Sequence, residues 1–151
     1  MKKGLISRKN HRVKGVVLVG GCFDILHFGH LMFLKKARKL GDHLIILLES
    51  DESVRKLKGV GRPINKQKLR HYMLTSLKFV DEVVDLKGIL RNKDYENLVT
   101  KIQPGVIAVT SGDPAIGKKR QQAKMTGARF VVVPKVKVVS TTKIAKLLGF
   151  Q

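Results

Sequence analysis

The chain has 151 residues, of which 43% are hydrophobic and 28% are charged, and its formal net charge is +20. This length suits one domain with a single continuous core and excludes a second domain. One cysteine excludes an internal disulfide, and no apolar run reaches the roughly 20 residues of a membrane-spanning helix. We therefore expect a cytoplasmic protein without a signal peptide and without a membrane partner.

Part of the positive charge is concentrated at the start of the sequence. Residues 1–14 hold six lysines and arginines and no acidic residue, so we interpret them as a basic N-terminal extension. Residues 15–151 form the predicted domain. A charge of this size attracts polyanions such as nucleoside triphosphates or nucleic acid, but it carries no information about the fold. Non-specific binding of nucleic acid and a merely solvated basic surface are both left open.

The first predicted unit is a strand, a glycine turn and a helix. Residues 16–19 form a short apolar run without polar alternation, which is typical of a buried strand. Gly20 and Gly21 then permit a sharp turn that brings the backbone close to a ligand. From His30 onward, apolar residues recur at steps of three and four and predict an amphipathic helix that ends at Gly41.

Two histidines, His27 and His30, lie at the predicted start of this helix. Free backbone amides and the helix dipole favour a phosphate at such a position. Imidazole is a short, stiff group that can hold a phosphate oxygen in place, although the same residues could simply cap the helix. Asp24 is expected mainly to fix the turn, and Cys22 to fill it rather than to act as a nucleophile.

The second predicted unit runs from a buried strand into two helices. Residues 44–48 are continuously apolar, and Ser50 or Asp51 is a candidate N-cap for a short helix over residues 52–57. A loop with glycines and a proline then leads to Asn65, the candidate N-cap of the next helix. The apolar face of that helix is predicted to consist of Leu69, Tyr72, Met73 and Leu77.

The rest of the sequence continues this alternation. Residues 80–86 include three valines and a leucine and predict a third strand, and Asp94 is a candidate cap of the helix that follows. Residues 106–109 and 130–133 predict two more strands, which are separated by a basic helix. Ser140 is the expected cap of a last helix.

Strands that are apolar throughout and separated by helices indicate a parallel sheet covered on both faces. Right-handed crossovers give the predicted fold class, an α/β, doubly wound, Rossmann-like parallel sheet of about five strands in the order 3-2-1-4-5. The carboxyl ends of parallel strands lie at one edge of the sheet. We expect one cleft there, faced by the loops over residues 20–30, 49–58, 110–118 and 134–142.

Two short motifs stand at the first of these loops. Residues 21–24 are Gly-Cys-Phe-Asp, and residues 27–30 are His-Phe-Gly-His. Together they resemble the Gly-x-Phe-Asp turn and His-x-Gly-His motif of the cytidylyltransferase-like nucleotidyltransferases, which include glycerol-3-phosphate cytidylyltransferase. The resemblance implies that His27 and His30 are catalytic. It also implies a set of nucleotide-binding residues in the same loop: Gly21, Cys22, Phe23, Asp24 and Gly29.

Further segments extend the resemblance along the chain. Residues 50–65 are similar to the adenylyltransferase domain of ADP-heptose synthase, and residues 140–144 to the family's Ser-Thr-Thr-x-Ile motif. Arg70 falls where the family carries an arginine directed at the triphosphate, which implies a catalytic role. The nucleotide-binding residues implied by the later motifs are Asp113, Ser140, Thr141 and Thr142. The residues implied to bind the acceptor or the triphosphate are Asp51, Lys56 and Lys58.

The loops that choose the acceptor in this family differ here from the usual pattern. Pro114 stands where an aromatic or acidic residue is usual, and Lys135 and Lys137 replace the arginine or acidic residues of relatives. The acceptor therefore stays open among a sugar phosphate, glycerol phosphate and FMN, in that order of preference.

The resemblance implies transfer of a nucleoside monophosphate, AMP in preference to CMP, from a nucleoside triphosphate to a phosphorylated small molecule, with release of pyrophosphate. Mg²⁺ is expected to arrive with the nucleotide, its protein ligands are unknown, and a homodimer is left open. An alternative is a nucleic-acid-binding protein on a catalytically degenerate scaffold. The residues behind that alternative are those of the basic helix between the last two predicted strands, Lys118, Lys119, Arg120 and Lys124.

Overall fold

A computed structural model describes residues 15–137 and 140–150, and the predicted N-terminal extension lies outside them. Within the described residues, five strands alternate with six helices. The strands are β1 (Val16–Gly21), β2 (His43–Leu48), β3 (Glu82–Asp85), β4 (Val106–Thr110) and β5 (Arg129–Val133). The helices are α1 (Phe28–Arg38), α2 (Asp51–Lys58), α3 (Gln67–Thr75), α4 (Asn92–Ile102), α5 (Ile116–Thr126) and α6 (Thr141–Leu147). None of these helices has both the length and the apolar character that crossing a bilayer requires.

The five strands form one parallel sheet in the order β3-β2-β1-β4-β5, which confirms the predicted fold. β1 lies at its centre, with Val17 opposite Leu44 of β2 on one side and opposite Val106 of β4 on the other. The chain moves outward from β1 in one direction first and in the other direction afterwards. The carboxyl end of β1 is therefore the switch point at which open α/β sheets bind ligands.

Alternate side chains of β1 enter two separate cores, one on each face of the sheet. Val17 and Val19 pack in a cluster with Phe33 and Leu34 of α1. Val16 and Leu18 pack on the opposite face, in a second cluster that contains Val99 and Ile102 of α4 and Ala123 of α5. Each fully buried aliphatic side chain contributes about 1.5–3 kcal/mol. Burial on both faces explains why the strand is apolar throughout and holds the turn after it rigidly.

Some predicted element boundaries are wrong. α1 ends at Arg38 rather than at Gly41. Gly41 instead packs against the backbone of Gly15, and an added Cβ would clash with the Gly15 carbonyl oxygen. The third strand begins only at Glu82. Asp94 does not occupy the cap position of α4; it is the third residue of the helix, and its carboxylate accepts a hydrogen bond from the backbone amide of Arg91 at 2.8 Å.

The predicted apolar face of α3 is also wrong. Leu69 and Tyr72 are 55% and 72% exposed, whereas the buried residues of this helix are Arg70 and Leu74. Leu77, just beyond the helix, does pack against the core as predicted. The inward face is shifted by about one residue because a buried arginine occupies a position where apolar periodicity would require a hydrophobic side chain.

The N-terminus of α3 is capped from a distance rather than by Asn65. Lys66 occupies the cap position without a side-chain hydrogen bond, and the Asp51 carboxylate at the start of α2 accepts from the backbone amide of Gln67 at 2.8 Å. Asn65 uses its amide group elsewhere, to donate to the Asp24 carbonyl at 3.0 Å. The two helices and the turn after β1 are thereby joined.

Candidate active site

The turn after β1 is held in an unusual backbone conformation. Phe23 has a φ angle of 47°, in the left-handed region that only glycine adopts without strain. Its ring is buried and packs so closely on Gly21 that a Cβ there would lie 2.9 Å from ring atom Cε2. The Phe23 ring therefore leaves no room for a side chain at Gly21. The packing of this ring also fixes the backbone that follows.

Asp24 ties this turn to the segment before α3. Its side chain is 1% exposed, and its Oδ2 accepts from Arg62 Nε and from the Ile64 amide, both at 2.7 Å. Its Oδ1 accepts from the Asn65 amide at 2.8 Å. Three donors thus occupy the carboxylate, which fits the expected part of Asp24 in fixing the turn. Arg62, its buried partner, was not singled out in the sequence because the pairing spans 38 residues.

His27 and His30 cap α1 and stack on each other. His27 Nδ1 accepts from the Gly29 amide at 3.0 Å, and His30 Nδ1 accepts from the His27 amide at 3.3 Å. The two ring centroids are 3.8 Å apart, with the ring planes at 22°. A neutral imidazole that accepts through Nδ1 carries its proton on Nε2. The capping interpretation is therefore confirmed for one nitrogen of each ring, and the other nitrogen is a donor of the kind a phosphate oxygen needs.

The histidine pair is neutral at physiological pH. Burial is the main reason that the pKa of His30 falls to about 4, with the neighbouring His27 and then Lys58 acting in the same direction. The backbone carbonyl of Ile25 opposes this shift only weakly. Burial, followed by the charge of Lys135, lowers the pKa of His27 as well. Both rings therefore offer N–H groups rather than positive charges.

Acid is expected to destabilise the protein through His30. Its pKa is about 4 in the folded state against 6.5 in the unfolded chain, so the unfolded state binds the proton more readily between these values. Neutral His30 therefore contributes about 3 kcal/mol to the free energy of unfolding above pH 6.5, and this contribution is lost as the pH falls toward 4. Urea denaturation gives the free energy of unfolding at pH 7 and at pH 4. Between these two pH values, wild type should lose about 3 kcal/mol more than His30→Gln loses. Equal losses would contradict the prediction.

Lysines from three elements converge on the carboxyl end of β1. Lys58, at the end of α2, and Lys135, after β5, are near enough to lower the pKa values of the two histidines. Lys119 of α5 places its Nζ 3.3 Å from the Gly20 carbonyl and 2.6 Å from Asp113 Oδ2. Only Lys58 was assigned to the site from sequence. Lys135 appeared there as a departure from the family pattern, and Lys119 as part of a basic helix.

Arg70 does not reach the open side of the turn. Its side chain is 0% exposed and lies behind the turn. Its guanidinium donates to the carbonyls of Asn65 (2.9 Å), Cys22 (2.8 Å) and Glu49 (2.9 Å) and to Asp51 Oδ1 (2.8 Å). The predicted contact between Arg70 and the triphosphate is therefore not supported by this geometry. In this structure Arg70 is a positioning residue that joins three loops.

Several other predicted nucleotide-binding groups are occupied by internal contacts. The Gly29 amide donates to His27, and Asp113 accepts from the Ala115 amide through Oδ1 and from Lys119 through Oδ2. Burial raises the pKa of the Cys22 thiol, as expected for a residue that fills the turn. These residues shape the site, and their direct contact with a nucleotide stays a prediction.

The other predicted binding residues lie at the two ends of the site. Ser140 caps α6 and accepts from the Lys143 amide at 3.2 Å, Thr141 is buried, and Thr142 is exposed. Lys56 is exposed on α2, and Asp51 is occupied by Arg70 and Gln67. In the described part of the chain, no three histidine, cysteine or carboxylate side chains converge as metal ligands.

A doubly wound sheet whose central strand leads into a turn with two imidazole N–H donors and nearby lysines defines an α/β protein with fixed donors at its switch point, the place where such sheets bind ligands. The sequence profile of the cytidylyltransferase-like family matches residues 18–147, and the chain belongs to that family.

Known relatives agree with this assignment. The chain is 51% identical over 103 residues to the bifunctional protein HldE of Campylobacter concisus (strain 13826), covering 68% of this chain and 21% of that protein. It is 41% identical over 126 residues to the bifunctional protein HldE of Campylobacter fetus subsp. fetus (strain 82-40), covering 83% of this chain and 25% of that protein. The chain thus spans a quarter or less of the length of these curated relatives.

Two solved structures are similar in fold. The lipopolysaccharide core biosynthesis protein from Thermoplasma volcanium GSS1 has a TM-score of 0.65 and 26% identity, covering 82% of this chain and 97% of that one. Pantoate-beta-alanine ligase from Francisella tularensis, complexed with beta-gamma ATP and beta-alanine, has a TM-score of 0.63 and covers 88% of this chain and 64% of its own. At 14% identity, the second likeness shows the fold alone.

Proposed function

We propose that this domain transfers a nucleoside monophosphate, AMP in preference to CMP, from a nucleoside triphosphate to a sugar phosphate and releases pyrophosphate. The observation that carries the proposal is the pair of neutral imidazoles at the N-terminus of α1, next to the carboxyl end of β1. The preference for AMP and a sugar phosphate is supported by the similarity of residues 50–65 to the adenylyltransferase domain of ADP-heptose synthase and by the relationship to HldE proteins.

The proposed reaction needs no general base. A phosphomonoester has a second pKa near ~6, so the attacking oxygen of the acceptor is already an anion at neutral pH. That oxygen forms a bond to the α-phosphorus, and the bond from the α-phosphorus to the bridging oxygen breaks. The electron pair leaves with pyrophosphate. The obstacle is repulsion between two polyanions, which the protein reduces by fixed donors and cations.

The residues of the site fit these tasks. His30 donates through Nε2 to an oxygen of the α-phosphate as charge develops there, and His27 supports the same phosphates. Lys58 and Lys135 add positive charge from either side. We assign the remaining phosphate contacts to the start of α6 at Ser140 and Thr142. Because these groups are fixed before the substrate binds, their orientation costs little during the reaction.

Mg²⁺ fits this site as an ion held by the phosphates of the nucleotide. The Asp24 carboxylate at the turn already accepts three hydrogen bonds, and Asp113 is paired with Lys119. Neither offers a free oxygen to a metal. When bound, the ion would neutralise part of the triphosphate charge, which complements the lysines of the site.

A pyrophosphate-release screen tests the proposal. ATP and CTP are each paired with sugar 1-phosphates, glycerol 3-phosphate and FMN in the presence of Mg²⁺, and His30→Ala serves as the inactive control. We expect release with ATP and a sugar phosphate. Release only with CTP and glycerol 3-phosphate would correct both the base and the acceptor. No release with any pair would overturn the proposed activity.

The alternative of nucleic-acid binding gains no support from α5. Lys119 points to the sheet edge, and the Arg120 guanidinium lies over the Phe130 ring at 4.7 Å from its centroid. Two of the four basic residues behind that alternative thus have partners within the fold. RNA binding that weakens steeply with salt, together with a failed pyrophosphate screen, would favour it.

A further inference from the structure

A second basic site lies beside the histidine turn, in a cavity between α2 and the segment that leads to α3. The cavity has a volume of about 230 Å³ and is lined by Asp51, Arg55, Gly61, Arg62, Pro63 and Lys66. Three of these six residues are cationic. We infer that this cavity binds a phosphoryl group through Arg55, Arg62 and Lys66.

The strongest evidence is an unsatisfied charged group on Arg62, a residue that lines the cavity. Arg62 is 4% exposed, and its Nε is paired with Asp24 at 2.7 Å. Its Nη2, however, is buried without a hydrogen-bond partner among the residues that the structure describes. A buried charged donor without a partner is unfavourable and rare, so it marks a place where a ligand or an ordered water completes the structure.

The charge of the cavity selects an anion over water or a neutral group. Arg55 and Lys66 are exposed and have no side-chain hydrogen bond or ion pair within the described residues. The single acidic wall residue, Asp51, is already neutralised by Arg70 Nη2 and accepts from the Gln67 amide. Arginine forks match the oxygens of a phosphoryl group, and a lysine adds a mobile charge.

The size of the cavity limits what enters it. Pockets that enclose a whole small molecule usually measure about 300–1,000 Å³. The volume here, about 230 Å³, is below that range, although it exceeds that of a phosphoryl group. The cavity therefore suits one charged end of a longer ligand whose remainder lies outside.

The position of the cavity connects it with the proposed reaction. Asp24, three residues before His27, bonds both to Arg62 and to the amide of Ile64, so the cavity wall and the histidine turn share one buried carboxylate. That the phosphoryl group belongs to a substrate rests on the proposed function. Its source is either the triphosphate or the phosphorylated acceptor.

Binding of inorganic pyrophosphate, measured by calorimetry, tests the site without requiring turnover. Arg55→Gln/Lys66→Gln is the test variant, because neither side chain supports the fold, and Lys68→Gln, on the exposed side of α3, is the matched charge control. We expect the double variant to weaken binding by about tenfold or more and the control by less than about twofold. Arg62→Lys, which keeps the charge but lacks Nη2, should also weaken binding, with its melting temperature reporting on the fold.

Equal affinities in wild type, double variant and control would overturn the inference, as would a wild type that fails to bind pyrophosphate. If the enzyme turns over, a rise in KM confined to the triphosphate or to the acceptor supports the site and identifies the source of its phosphoryl group. Unchanged KM values for both substrates would contradict it. A failed activity screen with intact, cavity-dependent pyrophosphate binding overturns the proposed function and leaves this site standing.

Discussion

Replacing His30 with alanine is expected to lower turnover by about 100- to 1000-fold, which corresponds to a barrier increase of ~2.7 to 4 kcal/mol. The substitution removes the Nε2 donor that we place against the α-phosphate. It also removes the acceptor of the His27 amide and a ring that meets Phe23 edge to face at 5.3 Å between centroids. Of the helices and strands, only the start of α1 uses one of these contacts, in its capping box, so the variant should fold with a stability loss of about 1–2 kcal/mol.

His71→Ala is the matched control for this experiment. His71 lies on α3 and is partly exposed, and its side chain pairs with Asp85 at 2.8 Å. Its loss should leave turnover within about twofold of wild type, because an exposed ion pair contributes little. Steady-state turnover measured beside circular dichroism separates chemistry from folding. A His30→Ala enzyme that retains turnover within a few-fold of wild type would show that the imidazole does not act on the reacting phosphate.

Replacing Arg70 with methionine is expected to reduce the free energy of unfolding by about 3–5 kcal/mol. Methionine fills most of the space but leaves the carbonyls of Cys22, Glu49 and Asn65 without the donors that Arg70 supplies. Each buried acceptor left unpaired costs about 1–3 kcal/mol. Arg70→Lys keeps the charge but not the planar fork, so it should lose roughly half as much. Urea denaturation measures both.

The same two variants distinguish the structural role of Arg70 from the triphosphate contact that the family resemblance implies. If Arg70 is a positioning residue, both variants lose stability, and any loss of affinity for the triphosphate accompanies that loss of stability. Arg55→Met, at an exposed position on α2, is the control for replacing an arginine by methionine and should change the free energy of unfolding by less than about 0.5 kcal/mol. If Arg70→Met is as stable as wild type but binds a triphosphate tenfold more weakly, the direct contact is correct and the positioning role is wrong.

The strand order was predictable because a parallel sheet buried on both faces leaves a simple pattern in the sequence. Each of β1, β2 and β4 contains a continuous apolar run, helices separate the three strands, and right-handed crossovers leave few arrangements. The inward face of α3 was not predictable in this way. Arg70 is buried by hydrogen bonds to three carbonyls from distant loops, and no local periodicity signals such a residue.

In the candidate site, too, local features were predictable from the sequence and long-range contacts were not. His27, His30 and Asp24 lie within seven residues of one another, so the glycine turn and the histidine spacing together predicted a phosphate site there, with helix capping as the alternative. Lys119 contacts the carbonyl of Gly20 across 99 residues of sequence, and Arg62 meets Asp24 across 38. Such contacts depend on how the loops meet at the carboxyl edge of the sheet. No local pattern in a single sequence indicates which distant residues will come into contact there.

The stacked imidazoles limit how this site can respond to charge. With ring centroids 3.8 Å apart, a proton taken up by one ring strongly opposes a second on its neighbour. The two imidazoles can therefore take up at most one proton between them when a polyanion binds, so they add at most one positive charge. Any further neutralisation has to come from ions that enter with the ligand or from ammonium groups on flexible arms, so proton uptake on binding should not exceed one per site.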